Sequence, residues 1–205
     1  LKKKRKVIKI IFLLILVSCI VMLISFGIQT KKEVNQVMKW ESTVQEAAKK
    51  HGVEEYADLA LAIIYSETKG NHLDVMQSSE SKYGLQNKIE TSEESIDIGV
   101  AHLAEVIKLS NQKKCDIWTA VQAYNFGMNY IDYISENGGE TTVELAKKYS
   151  RDVLAPLLGN KDGETYFYKS PLALFYNGGK LYKNGGNYLY AKTVHWNLTL
   201  IHAFS

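Results

Sequence analysis

The run Tyr56-Ala57-Asp58-Leu59-Ala60-Leu61-Ala62-Ile63-Ile64-Tyr65-Ser66-Glu67-Thr68-Lys69-Gly70 decides how the rest of the chain is read. Between Tyr56 and Tyr65, Ala, Leu and Ile fall on every side of a helix rather than along one stripe, and a helix apolar all round is a buried one. The apolar run stops at Ser66, which leaves Glu67 at the end of a central helix. That glutamate sits near the negative pole of the helix dipole and beside groups that exclude water, and both disfavour its ionised form. Position alone is better satisfied by a solvated glutamate at a frayed helix end, because surface charges are common. A carboxyl that keeps its proton near neutral pH is, however, what protonation of a glycosidic leaving oxygen requires.

Outward from this run the pattern stays mainly helical. Before it, Lys31 to Lys50 reads as a mixed polar helix whose apolar stripe is Val34, Val37, Met38, Val44, Ala47 and Ala48, with Gly52 as its stop. After it, residues 71–92 form a polar, Ser-rich loop. Thr91 or Ser92 then caps a helix to Leu109 that carries Ile96, Val100, Leu103 and Ile107 on one face. Asp116 caps the next helix, a short one follows Gly127 and closes at Gly138-Gly139, and Thr142 to Leu158 repeats the helical pattern with Pro156 near its end. Residues 159–190 are rich in Gly and Tyr. Tyr176-Asn177-Gly178-Gly179 is partly echoed by Lys183-Asn184-Gly185-Gly186, and Asn-Gly pairs favour tight hairpin turns. One or two short strands are expected here, then a closing helix from about Tyr188. The tyrosines of this tail read first as packing and turn residues, with sugar stacking as the alternative.

The N-terminus is a membrane signal. A basic cluster (Lys2–Lys6) precedes Val7 to Ile28, 22 residues interrupted only by Lys9, two serines and Gly27. As a helix this segment spans about 33 Å, enough for a hydrocarbon core of roughly 30 Å. The positive-inside rule places residues 1–6 in the cytoplasm and the body, 29–205, outside the cell membrane as a single-pass protein. Two processing alternatives stand beside the uncleaved anchor: Leu16-Val17-Ser18-Cys19 resembles a lipoprotein box, and Ser25-Phe26-Gly27 is a loose signal-peptidase site.

This segment also explains the net charge of +3. Residues 1–28 hold six of the 25 Lys and Arg and no acid, so the remaining 19 stand against 22 acids, a net of −3. A slightly acidic body lacks the basic face that phosphate contact needs, so nucleic acid is not an expected partner. Two cysteines exclude a disulfide scaffold and a four-cysteine zinc module, and Cys115 reads as a small buried hydrophobe. The histidines at 51, 72, 102, 195 and 202 show no metal-ligand spacing, so neither a metal nor another cofactor is expected.

Three further segments change the odds for Glu67: Asp74-Val75-Met76-Gln77-Ser78-Ser79-Glu80-Ser81, Val121-Gln122-Ala123-Tyr124-Asn125-Phe126-Gly127, and Tyr149-Ser150-Arg151-Asp152-Val153. With them the chain resembles the goose-type lysozyme and soluble lytic transglycosylase superfamily. There a buried helix ends in Glu-Ser, a loop carries Gly-Leu-Met-Gln, and a later helix carries Ala-Tyr-Asn-x-Gly. The nearer likeness is to a Gram-positive branch, the lysozyme-like domain of pneumococcal vaccine antigen A and of conjugative-element cell-wall hydrolases, which has Asp-x-Met-Gln-x-Ser-Glu-Ser in that loop. The resemblance covers roughly residues 35–205 and implies a mainly α, lysozyme-like domain behind the transmembrane helix.

It also implies an enzyme acting on peptidoglycan glycan strands by cleaving the β-1,4 bond after N-acetylmuramic acid. Glu67 would be the general acid and Asp74 the second carboxylate, while Gln77, Tyr124 and Asn125 line the cleft. Ser78 and Ser79 are substrate-facing donors or ordinary loop caps. Thr68 stands where the family usually has Ser, which keeps the hydroxyl. If Asp74 activates a water, the outcome is hydrolysis with inversion; if the substrate's own 6-hydroxyl closes the ring, the outcome is a lytic transglycosylase giving 1,6-anhydro products. A non-enzymatic scaffold that holds glycan near a surface secretion or conjugation machinery is the reading from a different class.

Overall fold

The computed structural model describes residues 2–79 and 89–205. Its first helix, α1 (Lys2–Met38), runs unbroken from the apolar segment into the body. The sequence reading starts a separate helix at Lys31, but Gln29 and Thr30 offer no breaker. A change in polarity is not a change in backbone. From Ile10 to Ile28 every residue but Gly27 is exposed, as lipid-facing residues are, whereas Thr30, Val34 and Val37 are buried. One helix therefore serves two solvents, and it is long and apolar enough to cross a membrane.

The break comes at Lys39-Trp40, where the Trp40 N–H closes on the Val37 carbonyl (3.0 Å) before α2 (Glu41–His51) begins. Helix α2 buries Val44, Ala47 and Ala48 and ends at Gly52 in the left-handed conformation. After a 3₁₀ turn at Glu54–Tyr56 comes α3 (Ala57–Thr68), in which seven consecutive residues, Leu59 to Tyr65, are buried. Each fully buried aliphatic side chain contributes about 1.5–3 kcal/mol, so α3 is the axis around which the rest packs.

Helix α4 (Ser92–Gln112) starts from Thr91, whose side chain accepts the Glu94 N–H, and buries Ile96, Val100, Leu103 and Ile107. Its Gly99 lets the 74–79 loop lie against it: a Cβ there would come within 2.6 Å of the Met76 sulfur. Asp116 caps α5 (Ile117–Phe126) through the Thr119 N–H, and α6 (Asn129–Glu136) follows. Thr142 caps α7 (Val143–Tyr149), which continues through a π-helical turn at Ser150–Leu154 into Ala155–Leu157. The widened turn has a local cause. Pro156 has no N–H and its ring crowds the carbonyl four residues back, and the helix accommodates it by bonding the Ala155 N–H to the Ser150 carbonyl instead.

The tail corrects one expectation. Strands β1 (Thr165–Phe167) and β2 (Lys180–Tyr182) do pair antiparallel, Thr165 opposite Tyr182 and Phe167 opposite Lys180, but no tight hairpin joins them. Helix α8 (Pro171–Asn177) lies between, and the Asn177-Gly178 pair is its C-cap, with Gly178 at φ 59° and its N–H on the Leu174 carbonyl. Left-handed backbone serves a helix end as well as a hairpin. The last helix, α9 (Tyr190–Phe204), runs back along α3, with Asn197 donating to Ser66 Oγ (2.9 Å) and His202 meeting Asp58 (3.0 Å).

Candidate active site

Glu67 lies in the last turn of α3, half-buried. Two hydroxyls fix the turn around it. Ser66 Oγ donates to the Ala62 carbonyl (2.8 Å), and Thr68 Oγ1 donates to the Val75 carbonyl (2.8 Å) while accepting the Gly70 N–H (3.2 Å). Thr68 thus ties the helix end to the following loop through its hydroxyl, the group that it shares with serine.

The Glu67 carboxyl accepts a hydrogen bond from the Tyr190 hydroxyl at 2.5 Å on Oε1. Burial pushes this carboxyl above its ordinary range and the charge of Asp74 adds to the effect; the Tyr190 hydrogen bond works against both without reversing them. The Tyr190 ring lies parallel to that of Tyr124, with centroids 6.4 Å apart. Tyr124 donates to the Met76 carbonyl (3.1 Å) and packs against His102 (5.0 Å). Burial pushes both phenols well above their ordinary range, helped by Glu67 and, for Tyr124, by Asp74, so they remain protonated donors. Burial lowers the His102 pKa, which keeps the imidazole neutral at physiological pH.

Asp74 is 4% exposed and is surrounded by donors. Oδ1 accepts the Ser78 N–H (2.8 Å) and Ser95 Oγ (2.6 Å), and Oδ2 accepts the Ser79 N–H (3.1 Å). Burial alone would raise its pKa, but the Ser95, Ser78 and Ser79 donors outweigh it and hold the carboxyl below its usual range. Asp74 is therefore an anion at neutral pH.

Ser78 is fully buried and donates to the Ser95 carbonyl (2.9 Å), and Ser79 is buried beside it, so both organise the loop around Asp74. Gln77 is exposed at φ 49° and turns back to the Asp74 carbonyl (3.0 Å). Asn125, exposed at the end of α5, accepts the Asn187 N–H (2.8 Å). The structure thus joins Glu67, Asp74 and Tyr124 through direct contacts or charge, and carries Gln77 and Asn125 on the segments around them. Glu80 and Ser81, which complete the loop motif, lie outside the described residues. Asp97, another carboxylate near this loop in sequence, is paired with Lys50 (2.7 Å) and His51 (2.9 Å).

Sequence reasoning missed two residues. Tyr190 reads from the sequence as one of the packing tyrosines of the tail. Gln122 is fully buried between α5 and α9, donating to the Asn187 carbonyl (2.9 Å) and accepting the Ala191 N–H (3.1 Å). It pins the start of α9 and with it Tyr190. A glutamine on the apolar helix Ile117–Phe126 was the available signal, since a buried amide needs partners.

A family model described as lysozyme-like matches residues 34–198. The chain belongs to the lysozyme-like family. Among curated relatives of this lysozyme-like chain, a pneumococcal vaccine antigen A homolog of Streptococcus pyogenes serotype M1 is 52% identical over 172 residues, covering 84% of this chain and 86% of that protein. The bifunctional muramidase/DL-endopeptidase CwlT of Bacillus subtilis is 37% identical over 116 residues, covering 57% of this chain and 34% of CwlT. Among solved structures, an NLP/P60-family protein of Staphylococcus aureus, described as similar to lipoprotein, superposes with a TM-score of 0.72 at 33% identity, over 80% of this chain. This lysozyme-like chain spans about half of that one (52%).

Proposed function

We propose that this protein is a membrane-anchored N-acetylmuramidase that cleaves the β-1,4 bond after N-acetylmuramic acid in peptidoglycan on the outer side of the cell membrane. The observation that carries the reading is Glu67: a carboxyl at the end of a buried helix, with its pKa raised by burial and one oxygen held by Tyr190. Kinship with a protein described as a muramidase supports the choice of bond.

In this reading Tyr190 determines where the acid's proton resides. Its hydroxyl donates to Oε1, so Oε1 is the acceptor and Oε2 carries the proton to the leaving oxygen. As the glycosidic bond breaks, positive charge develops at the anomeric carbon and Glu67 becomes an anion that the Tyr190 hydrogen bond stabilises. Asp74, already ionised, is the second carboxylate. It favours the developing positive charge and, in hydrolysis, directs water to the opposite face. Gln77, Tyr124 and Asn125 orient the sugar.

One observation favours a second reading. The donors on Asp74 keep it ionised, and the same donors make it a weak base. Without water activation the 6-hydroxyl of the muramic acid attacks the anomeric carbon, Glu67 takes back its proton from that hydroxyl, and the product is a 1,6-anhydro sugar.

Digestion of purified peptidoglycan by the full chain in detergent, with mass spectrometry of the released muropeptides, separates the outcomes. Reducing muramic acid ends identify the hydrolase, and products lighter by one water identify the transglycosylase. Binding without cleavage leaves the glycan-holding scaffold.

A further inference from the structure

A second feature lies at the foot of the domain, where α1 leaves the membrane. Gln29, Lys32, Glu33 and Gln36 follow one another at the three- and four-residue spacings of a single helix face. They face the turn after α3, and with Thr68, Lys69 and Asn71 they line a polar groove of about 350 Å³.

The wall between helix and turn is built tightly. Glu33 accepts from Lys69 Nζ (2.7 Å), Tyr65 OH (3.0 Å) and Gln29 Nε2 (2.7 Å). The Gly70 carbonyl accepts from both Gln36 Nε2 and Trp40 Nε1, each at 3.1 Å. Gly70 has φ 71°, and a Cβ there would lie 3.1 Å from the Gln36 carbonyl oxygen, so the two backbones touch. The acid of the groove, Glu33, is thus already matched by Lys69. Lys32 is exposed and makes no ion pair among the described residues.

The depth of the groove identifies its surroundings. Gln29 is the first residue past the apolar span, and at 1.5 Å per residue Lys32 and Glu33 lie about 6–8 Å beyond Ile28. The headgroup layer on each side of a bilayer is roughly 5–7 Å thick, the difference between the full bilayer and its hydrocarbon core shared over two faces. Lys32 and the Lys69–Glu33 pair therefore stand at headgroup level, with two ammonium groups and three side-chain amides around one opening. With Glu33 neutralised by Lys69, the unpaired Lys32 leaves the groove one positive charge in excess, which selects an anion, and at that depth the abundant anion is a phosphodiester.

We propose that this groove is a phosphate site at the membrane surface, occupied by the headgroup of an anionic phospholipid, with Lys32 and Lys69 as its charged ligands. Because Lys69 and Gly70 lie two and three residues after Glu67, an occupied groove would also fix the turn that carries the acid; this consequence, unlike the binding itself, rests on the role proposed for Glu67.

The test uses the full chain in nanodiscs of phosphatidylglycerol or of a neutral diglucosyl diacylglycerol with the same acyl chains, released into detergent for native mass spectrometry. The expected result is one retained phosphatidylglycerol and no retained glycolipid. Lys32→Gln and Lys69→Gln should each weaken retention about fivefold, the usual effect of one basic residue near an anionic surface. Lys31→Gln, whose ammonium turns to the Phe204 carbonyl and lies outside the groove lining, should weaken retention less than Lys32→Gln does. Lys32→Gln removes no hydrogen bond or ion pair within the described residues, so it remains informative even if Lys69→Gln disturbs the Glu33 network. Inorganic phosphate added in detergent distinguishes the sources: shifts of the Lys69, Gly70 and Asn71 amides at low millimolar phosphate, with no lipid retained, would assign the site to a free anion and overturn the lipid. Equal retention of the two lipids, or retention indifferent to Lys32→Gln, would overturn the site. Loss of glycan cleavage by Glu67→Gln bears on neither result, so the two readings fail separately.

Discussion

Tyr190→Phe removes one hydroxyl and nothing else, since the ring packs against Tyr124 and the residue is 4% exposed. The lost hydrogen bond runs to Glu67 Oε1 at 2.5 Å and favours the ionised carboxylate. A hydrogen bond to a charged group is worth about 1.5–3 kcal/mol, and a pKa unit corresponds to about 1.4 kcal/mol. The bond is weaker when the carboxyl is neutral, so without it the Glu67 pKa rises further. A general acid works while protonated, so the alkaline limb of the pH–activity profile should move to higher pH in the variant. The maximal rate should fall roughly 10–100-fold, because the proton is no longer confined to Oε2 and the carboxyl is less well aimed. Release of reducing ends or anhydro ends from peptidoglycan, measured from pH 4 to 9 with the full chain in detergent, reads both quantities. A limb that stays in place or moves down would refute the reasoning, whatever happens to the rate.

Glu67→Gln should keep the fold and lose about 10²–10⁴-fold in activity. It should also be at least as stable as the parent at pH 8. The raised carboxyl of the folded chain binds its proton to a higher pH than the unfolded chain does, so parental stability falls as pH rises from the ordinary glutamate range through the folded pKa, and the amide removes that loss; a variant that melts earlier at pH 8 would contradict this. Asp74 carries the opposite sign: its depressed pKa stabilises the fold above the ordinary aspartate range, and that stability is lost as pH falls through the folded value. Asp74→Asn turns an amide NH₂ toward buried donors and should cost about 1–3 kcal/mol in denaturant unfolding. It should also move the alkaline activity limb down, since a charge that raises the Glu67 pKa is gone. If Asp74 directs water, the loss of hydrolysis should exceed what the stability change explains. For topology, protease added outside wall-less cells should digest the body and spare Lys2–Lys6; a new terminus near Ile28, or a lipid-modified Cys19, would replace the anchor by a cleaved signal or a lipoprotein.

What was legible in the sequence was local. The buried helix ending at Glu67, the caps at Thr91, Asp116 and Thr142, and the stop at Gly52 each depend on a few neighbouring residues. Boundaries set by tertiary packing were not. The Lys31 start dissolved into α1 because helix continuity is indifferent to whether lipid or protein lies outside, and Asn177-Gly178 ended a helix because a left-handed residue suits either structure. The site divides the same way. Glu67 and the loop motif stand close together in the chain, but the engagement of Asp74 by Ser95, 21 residues on, depends on α4 packing against the loop. Tyr190 reaches Glu67 across 123 residues, a pairing that no local pattern contains.

That separation also governs when activity can exist. Glu67 lies on α3 and the hydroxyl that donates to it lies on the last helix, held there by Gln122 from a third. A chain still being synthesised, with residues up to about 180 emerged, can bury Glu67 against nothing from α9 and has no Tyr190 to set its protonation. The proposed acid is made early and its surroundings are completed last. On the role proposed for Glu67, a nascent or threaded polypeptide has an incomplete acid until its C-terminal helix docks, so full activity should follow synthesis of the last helix rather than accompany it.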